Sequence, residues 1–293
     1  MRQLKQFLKR IPFAVSLVRL AYRTRVVFAQ LSGFARSLMV WLIGSRESSN
    51  YTYKLTSRNM RYLASQLADM TGRPYDELMG YIVELETDQH LLAHLDDMVR
   101  RAGKDASRDP NMPFGKLPYG RRLGWYALAR VTKPKVVVET GVEKGLGSCV
   151  LTAAIARNTA EGYTGRYYGF DINPKAGYLL DGMYAQYGEV IYGDAISNLQ
   201  KFDRAIDLYV NDSDHLPEYE ASEYEAVANK LSPRAIMLGD NAHATDELLN
   251  FALATGRQFI FFKEQPADHW YPGAGIGIAF RRPIGQTRER ETI

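Results

Sequence analysis

Short apolar runs alternate with amphipathic stretches from Tyr119 towards the C-terminus. Such alternation is typical of a parallel sheet with helices on both faces. The predicted strands are 136–138, 167–170, 190–192, 206–210 and 235–238, followed by 259–263 and 276–281. We expect the last two to add an antiparallel hairpin, with the aromatic segment 269–273 between them. The pattern therefore predicts an α/β fold with a doubly wound, mostly parallel sheet. The aromatic segment is open to two interpretations, a wall of a substrate site or a hairpin tip folded onto the sheet.

The segment before Tyr119 has helical periodicity. Thr56 or Ser57 is a suitable N-cap for a helix that ends at Gly72, and Pro74 opens a longer helix with an apolar stripe from Leu78 to Val99. Residues 103–118 contain three prolines and predict a loop or lid. A helical cap beside an active site and a plain structural extension both fit this segment.

The N-terminal segment is basic and apolar. Residues 1–46 hold nine Lys/Arg and no Asp/Glu. Residues 1–10 predict an amphipathic helix that Pro12 interrupts, and residues 13–43 predict a second, more apolar one. The 18 residues from Val26 to Ile43 are marginal for a membrane span, and Arg19 argues against a signal peptide. We expect a helix in the interface of an anionic membrane. Packing on the protein's own body or on a second copy, and a true span, are the alternatives.

Composition narrows the function classes. The chain is 46% hydrophobic and 24% charged, as in a globular protein. Its one cysteine, Cys149, excludes an internal disulfide and a cysteine-rich zinc site. Because the chain outside residues 1–46 is net acidic, nucleic acid is not an expected partner. The expected domains are a basic arm (1–46), a helical cap and lid (47–118) and a catalytic domain (119–293). The expected location is cytoplasmic, with peripheral attachment to the inner face of the membrane.

Candidate chemistry follows the predicted strands. Segment 139–148 is a glycine-containing strand-to-helix turn, in which the backbone can approach a ligand. Asp171 ends the second strand, where a carboxylate binds ribose hydroxyls, and Asp194 follows the third. Since ligands bind beyond the carboxyl ends of parallel strands, we expect these side chains to share one crevice. Strand-end Asp and Asn also cap helices and form turns, which is the structural alternative.

The fourth and fifth strands end in oxygen-rich sequences. Asp212 and His215 follow the fourth, and Asp240 and Asn241 follow the fifth. Asp212, Asp240 and Asn241 offer three oxygen ligands of the kind that Mg²⁺ prefers.

The order Glu-x-Gly-x-x-x-Gly, Phe-Asp, Gly-Asp-Ala, Asp-x-Asp-His and Gly-Asp-Asn resembles the class I S-adenosylmethionine-dependent methyltransferases, which are Rossmann-like. Within them it resembles the metal-dependent O-methyltransferases of catechol, caffeoyl-coenzyme A and macrolide-sugar type, and more closely a bacterial group that resembles the cephalosporin hydroxylase-like protein. The resemblance covers about residues 119–282.

The resemblance implies a role for each site residue. The methionine part of the cofactor would lie against Glu139, Gly141, Gly145 and Ser148, the ribose against Asp171, and the adenine near Asp194. Asp212, Asp240 and Asn241 would hold Mg²⁺ or Mn²⁺. This sequence departs from the family pattern by one extra residue before Ser148, and by His215 where plant members carry lysine.

The predicted function is Mg²⁺-assisted O-methylation, with Asp212 and His215 as the catalytic residues. The metal would lower the pKa of the acceptor hydroxyl and orient it, and His215 would take its proton. The expected acceptor is a sugar hydroxyl of a glycan, glycolipid or glycosylated natural product, and a phenolic product is the second choice. A nucleotide-dependent oxidoreductase and a non-catalytic membrane-attached cofactor-binding protein are the rivals. A homo-oligomer is also compatible with the sequence.

Overall fold

The computed structural model describes residues 12–44, 51–102 and 118–281. The first described element is helix α1, Pro12–Gly44. It confirms the second predicted N-terminal helix, whereas the helix predicted over residues 1–10 lies outside the described residues. Most side chains of α1 from Ser16 onward are exposed. By length and composition, its part Ser16–Gly44 is able to cross a membrane.

Three helices follow: α2 (Ser57–Thr71), α3 (Tyr75–Glu86) and α4 (Gln89–Arg101). The ends of α2 are as predicted, because Thr56 accepts a hydrogen bond from the Asn59 amide and Gly72 ends the helix at φ 68°. The prediction of one long helix from Pro74 to Val99 was wrong. The Asp88 side chain accepts hydrogen bonds from the His90 and Leu91 amides and starts a new helix there. Of the predicted loop 103–118, all but Pro118 lies outside the described residues.

The C-terminal half alternates strands and helices, as predicted. Its helices are α5 (Arg122–Thr132), α6 (Leu146–Ala160), α7 (Gly182–Ala185), α8 (Ala195–Lys201), α9 (Pro217–Val227) and α10 (Glu247–Ala254). Its strands are β1 (Val136–Thr140), β2 (Arg166–Asp171), β3 (Gly188–Tyr192), β4 (Ile206–Asn211), β5 (Leu231–Gly239), β6 (Gln258–Lys263) and β7 (Gly275–Phe280).

The seven strands form one sheet in the order β3-β2-β1-β4-β5-β7-β6. The pairs among β1 to β5 are parallel, and β7 is antiparallel to both β5 and β6. This arrangement confirms the predicted fold class. The strand order reverses between β1 and β4, and in open α/β sheets the crevice for ligands lies at that switch point.

Two buried apolar clusters cover the two faces of the sheet. On β1, Val137 belongs to one cluster and Val138 to the other, as the alternation of side chains along a strand requires. The cluster of Val137 also contains Leu63 from α2 and Leu78 from α3. The described helices of the predicted cap therefore pack into the same core as the sheet.

The segment before α2 is fastened to the connection between β6 and β7. The Tyr53 hydroxyl donates to Glu264 Oε2 over 2.6 Å, and Asn59 exchanges hydrogen bonds with the Lys263 carbonyl and the Gln265 amide. These bonds hold residues 51–57 at the carboxyl edge of the sheet, next to the crevice.

Candidate active site

The turn between β1 and α6 brings backbone close to the end of β4. Gly141 has φ 81°, and a Cβ at this position would overlap the carbonyl group of Asp212. Gly145 has φ 94°, and its Cβ would lie 3.0 Å from Gly177 Cα. Since other residues rarely adopt such positive φ angles, glycine is required at both positions by conformation as well as by space.

Asp171 supports this turn from β2. Its Oδ2 accepts hydrogen bonds from the Val142 and Glu143 amides, each over 2.9 Å, and its Oδ1 accepts one from the Asn173 amide. The predicted ribose-binding carboxylate therefore also fixes the shape of the glycine turn.

A cavity of about 480 Å³ lies over this turn and the ends of β2 and β3. Gly141, Asp171 and Asp194 all line it, as predicted for a nucleoside-binding crevice. Asp194 caps α8 through the Ser197 amide and accepts a hydrogen bond from the Tyr219 hydroxyl over 2.9 Å. These bonds, led by the one from the Ser197 backbone, lower the pKa of Asp194 and fix its side chain at the wall.

Glu139 and Ser148 lie beneath the turn instead of at the cavity wall. Glu139 is 1% exposed, and it accepts hydrogen bonds from the hydroxyls of Ser148 and Tyr167. Burial raises the pKa of Glu139 to about 8. Both residues thus support the turn from below, and direct contact with a cofactor stays a prediction.

A second cavity, of about 460 Å³, adjoins the first. Both cavities are lined by Gly141, Glu143, Asp212 and Ser213, so they meet at the switch point of the sheet. The other residues that line the second cavity are Tyr51, Thr52, Arg121, Arg122, Lys144, His215, Asp240, His243, Tyr271 and Ala274. We call it the acceptor pocket.

Asp212 and Asp240 come together in the acceptor pocket, as the sequence predicts for residues at adjacent strand ends. Arg121 Nε forms an ion pair with Asp240 Oδ1, and Arg121 Nη2 lies 3.5 Å from Asp212 Oδ1. Arg122 Nη2 lies 3.6 Å from Asp212 Oδ2. Burial and the neighbouring Asp240 raise the pKa of Asp212 to about 8, although the two arginines oppose this shift.

The predicted metal ligands do not fit a metal ion in this arrangement. The carboxylates of Asp212 and Asp240 are already paired with guanidinium groups. Asn241 is fully buried, and its amide nitrogen donates to the Asp214 carbonyl over 3.2 Å, whereas its Oδ1 accepts no hydrogen bond from the described residues. Across residues 12–44, 51–102 and 118–281, no three His, Cys, Asp or Glu side chains cluster as metal ligands, although this finding does not cover amide ligands such as Asn241.

Two histidines line the acceptor pocket. His215, the predicted base, is exposed at its rim. His243 follows β5, and its Nδ1 lies 2.9 Å from the Asp240 carbonyl oxygen. Because a carbonyl only accepts, Nδ1 carries the proton in that contact and Nε2 of the neutral ring is the basic atom.

For the arginines at positions 121 and 122, the sequence pattern indicated no role beyond anion contacts. Tyr51 also lines the pocket, and Tyr271 does so from the aromatic segment, which favours the substrate-wall interpretation. The available signal was the arginine pair directly before the helix that leads into β1, in a site with an excess of carboxylates. Only the fold shows that α5 begins opposite the ends of β4 and β5.

The aromatic segment also contacts the N-terminal helix. Trp270 stacks on Trp41 of α1 with ring centroids 4.7 Å apart. The ring of Tyr51 lies 5.6 Å from Trp270 and 5.1 Å from Tyr271. One end of α1 is therefore joined to the wall of the acceptor pocket.

A comparison with known protein families gives a match for the part of the chain that forms β1 to β5. Residues 138–242 match a family model described as a methyltransferase domain. This match covers the glycine turn and the acidic ends of β2 to β5. Residues 138–242 of this chain are therefore similar to a methyltransferase domain. No curated protein sequence matches it.

Several solved structures are similar to this chain. SAH-bound methyltransferase PaMTH1 from Podospora anserina is 17% identical with a TM-score of 0.46, covering 66% of this chain and 88% of that one. The O-methyltransferase TomG from Streptomyces achromogenes, involved in tomaymycin synthesis and in complex with SAM, is 16% identical with a TM-score of 0.45, covering 67% and 92%. A methyltransferase from Geobacter sulfurreducens is 21% identical with a TM-score of 0.44, covering 67% and 99%.

Proposed function

We propose that this protein is an S-adenosylmethionine-dependent O-methyltransferase that acts on a hydroxyl group. The observation that carries the proposal is the junction of two cavities at Gly141 and Asp212. One cavity has the glycine turn, Asp171 and Asp194, which suit a nucleoside-containing cofactor. The other has polar and basic side chains, which suit an oxygen nucleophile. The match of residues 138–242 to a methyltransferase domain supports this division of roles.

The residues of the first cavity fit S-adenosylmethionine. Gly141 leaves room beside the Asp212 backbone, and Asp171 and Asp194 offer carboxylate oxygens at the wall. When bound, this cofactor supplies a sulfonium methyl group, which moves to the acceptor oxygen while the electron pair of the broken carbon–sulfur bond stays on sulfur. The chain's part is to align the acceptor oxygen with that methyl group and to exclude water.

The acceptor's proton needs a base, and we assign this role to His215. The ring stands at the rim of the acceptor pocket on the same connection as Asp212. As the hydroxyl oxygen bonds to the methyl carbon, its proton passes to the neutral imidazole. The adjacent arginines donate hydrogen bonds to oxygen, which stabilises the charge that develops there.

We propose a sugar hydroxyl of a glycan or glycolipid as the acceptor, with a phenolic product as the second choice. Tyr51 and Tyr271 offer aromatic surface beside the charged groups of the pocket. Trp270, next to Tyr271, stacks on the apolar helix α1. A membrane-bound α1 would therefore place the pocket close to the lipid surface, within reach of a lipid-linked sugar.

Magnesium dependence stays a prediction of the sequence. The two carboxylates that would bind the ion are paired with Arg121 and Arg122.

Calorimetry with S-adenosylhomocysteine tests the proposed function. The wild-type chain should bind it, and Gly141→Ala should abolish binding, because the new Cβ overlaps the Asp212 backbone. Gly80→Ala is the matched control. This glycine is in α3 with no other atom within 4 Å of an added Cβ, so the variant should bind normally. Tight NAD binding without a response to S-adenosylhomocysteine would instead favour an oxidoreductase. Binding without methyl transfer to any sugar or phenol would favour the non-catalytic rival.

A further inference from the structure

Two consecutive arginines stand where the sequence predicts a metal ion. Arg121 directly precedes α5, and Arg122 is its first residue. Their guanidinium groups contact the carboxylates of Asp212 and Asp240, which come from the ends of β4 and β5. Each of the two predicted carboxyl ligands thus has at least one guanidinium group beside it.

Both guanidinium groups are fixed by further neighbours. Arg122 lies over the ring of Trp125 at 5.2 Å, and its side chain is 12% exposed. Arg121 has Glu264 as a third acidic neighbour, and Tyr53 holds Glu264 in turn. Burial alone would lower the pKa of Arg121, but Asp240, Asp212 and Glu264 raise it above its ordinary value.

The arginines also face the pocket in which the acceptor would bind. Both line it, together with Asp212, Asp240 and the two histidines. Guanidinium N–H groups make short, charge-assisted hydrogen bonds to oxygen. A divalent cation between the same carboxylates would meet two like charges at close range.

We infer that Arg121 and Arg122, in place of a divalent metal ion, supply the positive charge that binds the acceptor oxygen in this pocket. The role towards the acceptor rests on the proposed function. The exclusion of a metal ion from the Asp212–Asp240 pair does not rest on it.

Manganese binding tests the exclusion directly, because Mn²⁺ suits the same oxygen ligands as Mg²⁺ and its free form gives an electron paramagnetic resonance signal. Metal-free wild-type protein should leave that signal undiminished in a titration. Loss of one equivalent of free Mn²⁺, reversed by Asp212→Asn, would overturn the inference.

The double variant Arg121→Gln/Arg122→Gln tests whether the two guanidinium groups are what excludes the metal ion. Without the guanidinium groups, Asp212, Asp240 and Asn241 offer three uncompensated oxygen ligands, so this variant should gain one Mn²⁺ site that Asp240→Asn then removes. Arg234→Gln, at an exposed position of β5 outside the acceptor pocket, is the matched control and should gain none. A folded double variant without a Mn²⁺ site would also count against the inference. Binding of S-adenosylhomocysteine serves as the check of folding.

Activity separates this inference from the proposed function. Methyl transfer should continue in excess chelator, and the double variant should lose about 10²-fold or more in kcat, as when donors to a developing oxyanion are removed. Activity that chelator abolishes and Mg²⁺ restores would overturn the inference and leave the methyltransferase intact. Failure to bind S-adenosylhomocysteine, with Mn²⁺ still excluded, would remove the proposed function only.

Discussion

The two histidines of the acceptor pocket differ in how firmly their rings are held. His243 donates from Nδ1 to the Asp240 carbonyl, which anchors its ring to the end of β5. His215 is exposed at the rim, on the connection after β4. A general base must lie within hydrogen-bond distance of the acceptor hydroxyl. The base is therefore the histidine whose ring nitrogen comes that close to the bound acceptor.

We expect His215→Ala to lower kcat by ~10²–10⁴-fold at neutral pH, the usual contribution of a positioned base. Binding of S-adenosylhomocysteine should not change, because His215 lines the acceptor pocket and not the cofactor cavity. Single-turnover rates with a radiolabelled methyl donor measure the effect. His243→Ala is the matched control. If His243→Ala lowers kcat and His215→Ala keeps full activity, the base is His243.

Glu139 gives the folded protein a pH dependence. Burial raises its pKa from 4.5 to about 8. A carboxyl with a higher pKa in the folded than in the unfolded state takes up a proton on folding. Its contribution to stability is therefore complete below about pH 4.5, declines as the pH rises to about 8, and is constant above that.

Glu139→Gln removes this titration and keeps an oxygen that accepts from Tyr167 and Ser148. The free energy of unfolding of the wild type should fall relative to this variant between pH 5 and pH 8, by ~1.4 kcal/mol for each pH unit over which Glu139 is protonated in the folded state and ionised in the unfolded state. Urea unfolding at four pH values measures the difference. The exposed Glu225→Gln is the control and should follow the wild type. Parallel curves for Glu139→Gln and wild type would contradict the argument.

At the scale of elements, the strands were predictable because each is a short, largely apolar run, and β1 to β6 end at or directly before a glycine or an acidic residue. All seven predicted strands are present, with shifts of a few residues at most of their ends. The single break at Asp88 was missed because the apolar stripe continues across it, with Leu85 and Leu91 both buried. Periodicity shows which residues face the core, whereas a capping side chain decides where a helix starts.

Among the charged groups of the candidate site, the acidic ones were predictable and the arginines were not. Asp171, Asp194, Asp212 and Asp240 follow strands that neighbour one another, and parallel topology alone brings them to one edge. The arginines lie at the start of α5, about ninety residues before Asp212 in the chain. A local sequence pattern does not indicate which strand ends will lie opposite the start of a helix. The net charge of the site therefore depends on residues that are distant in sequence, and hydrophobic periodicity does not predict which of them come together.

At the scale of the whole molecule, most of α1 lies outside the core. From Ser16 onward its apolar side chains are largely exposed, with Leu42 at 69% and Phe28 at 69%. Its described contact with an aromatic ring of the core is the stack of Trp41 on Trp270. Self-packing along its length, one of the alternatives for this segment, is not what the described residues show. An anionic membrane and a second copy of the chain are the remaining occupants of this surface.

We expect the full chain to sediment with vesicles of phosphatidylcholine and phosphatidylglycerol, and less with phosphatidylcholine alone. The arginines of α1 attract anionic headgroups, and the exposed apolar side chains insert below them. Phe28→Ser/Phe34→Ser should weaken the partition coefficient by about tenfold for each phenylalanine, since burying such a side chain yields at least ~1.5 kcal/mol.

The matched control for this experiment is Val83→Ser/Leu253→Ser, which removes two exposed apolar side chains elsewhere and should leave sedimentation unchanged. Alkaline carbonate should release the bound protein if α1 lies in the interface. Protein that stays with the vesicles has α1 across the bilayer, which its length permits.

If the chain binds vesicles of neither composition and is a dimer in solution, a second copy covers α1. The acceptor pocket beside Trp270 would then lie next to a subunit interface, and a lipid-linked acceptor would lose its structural support.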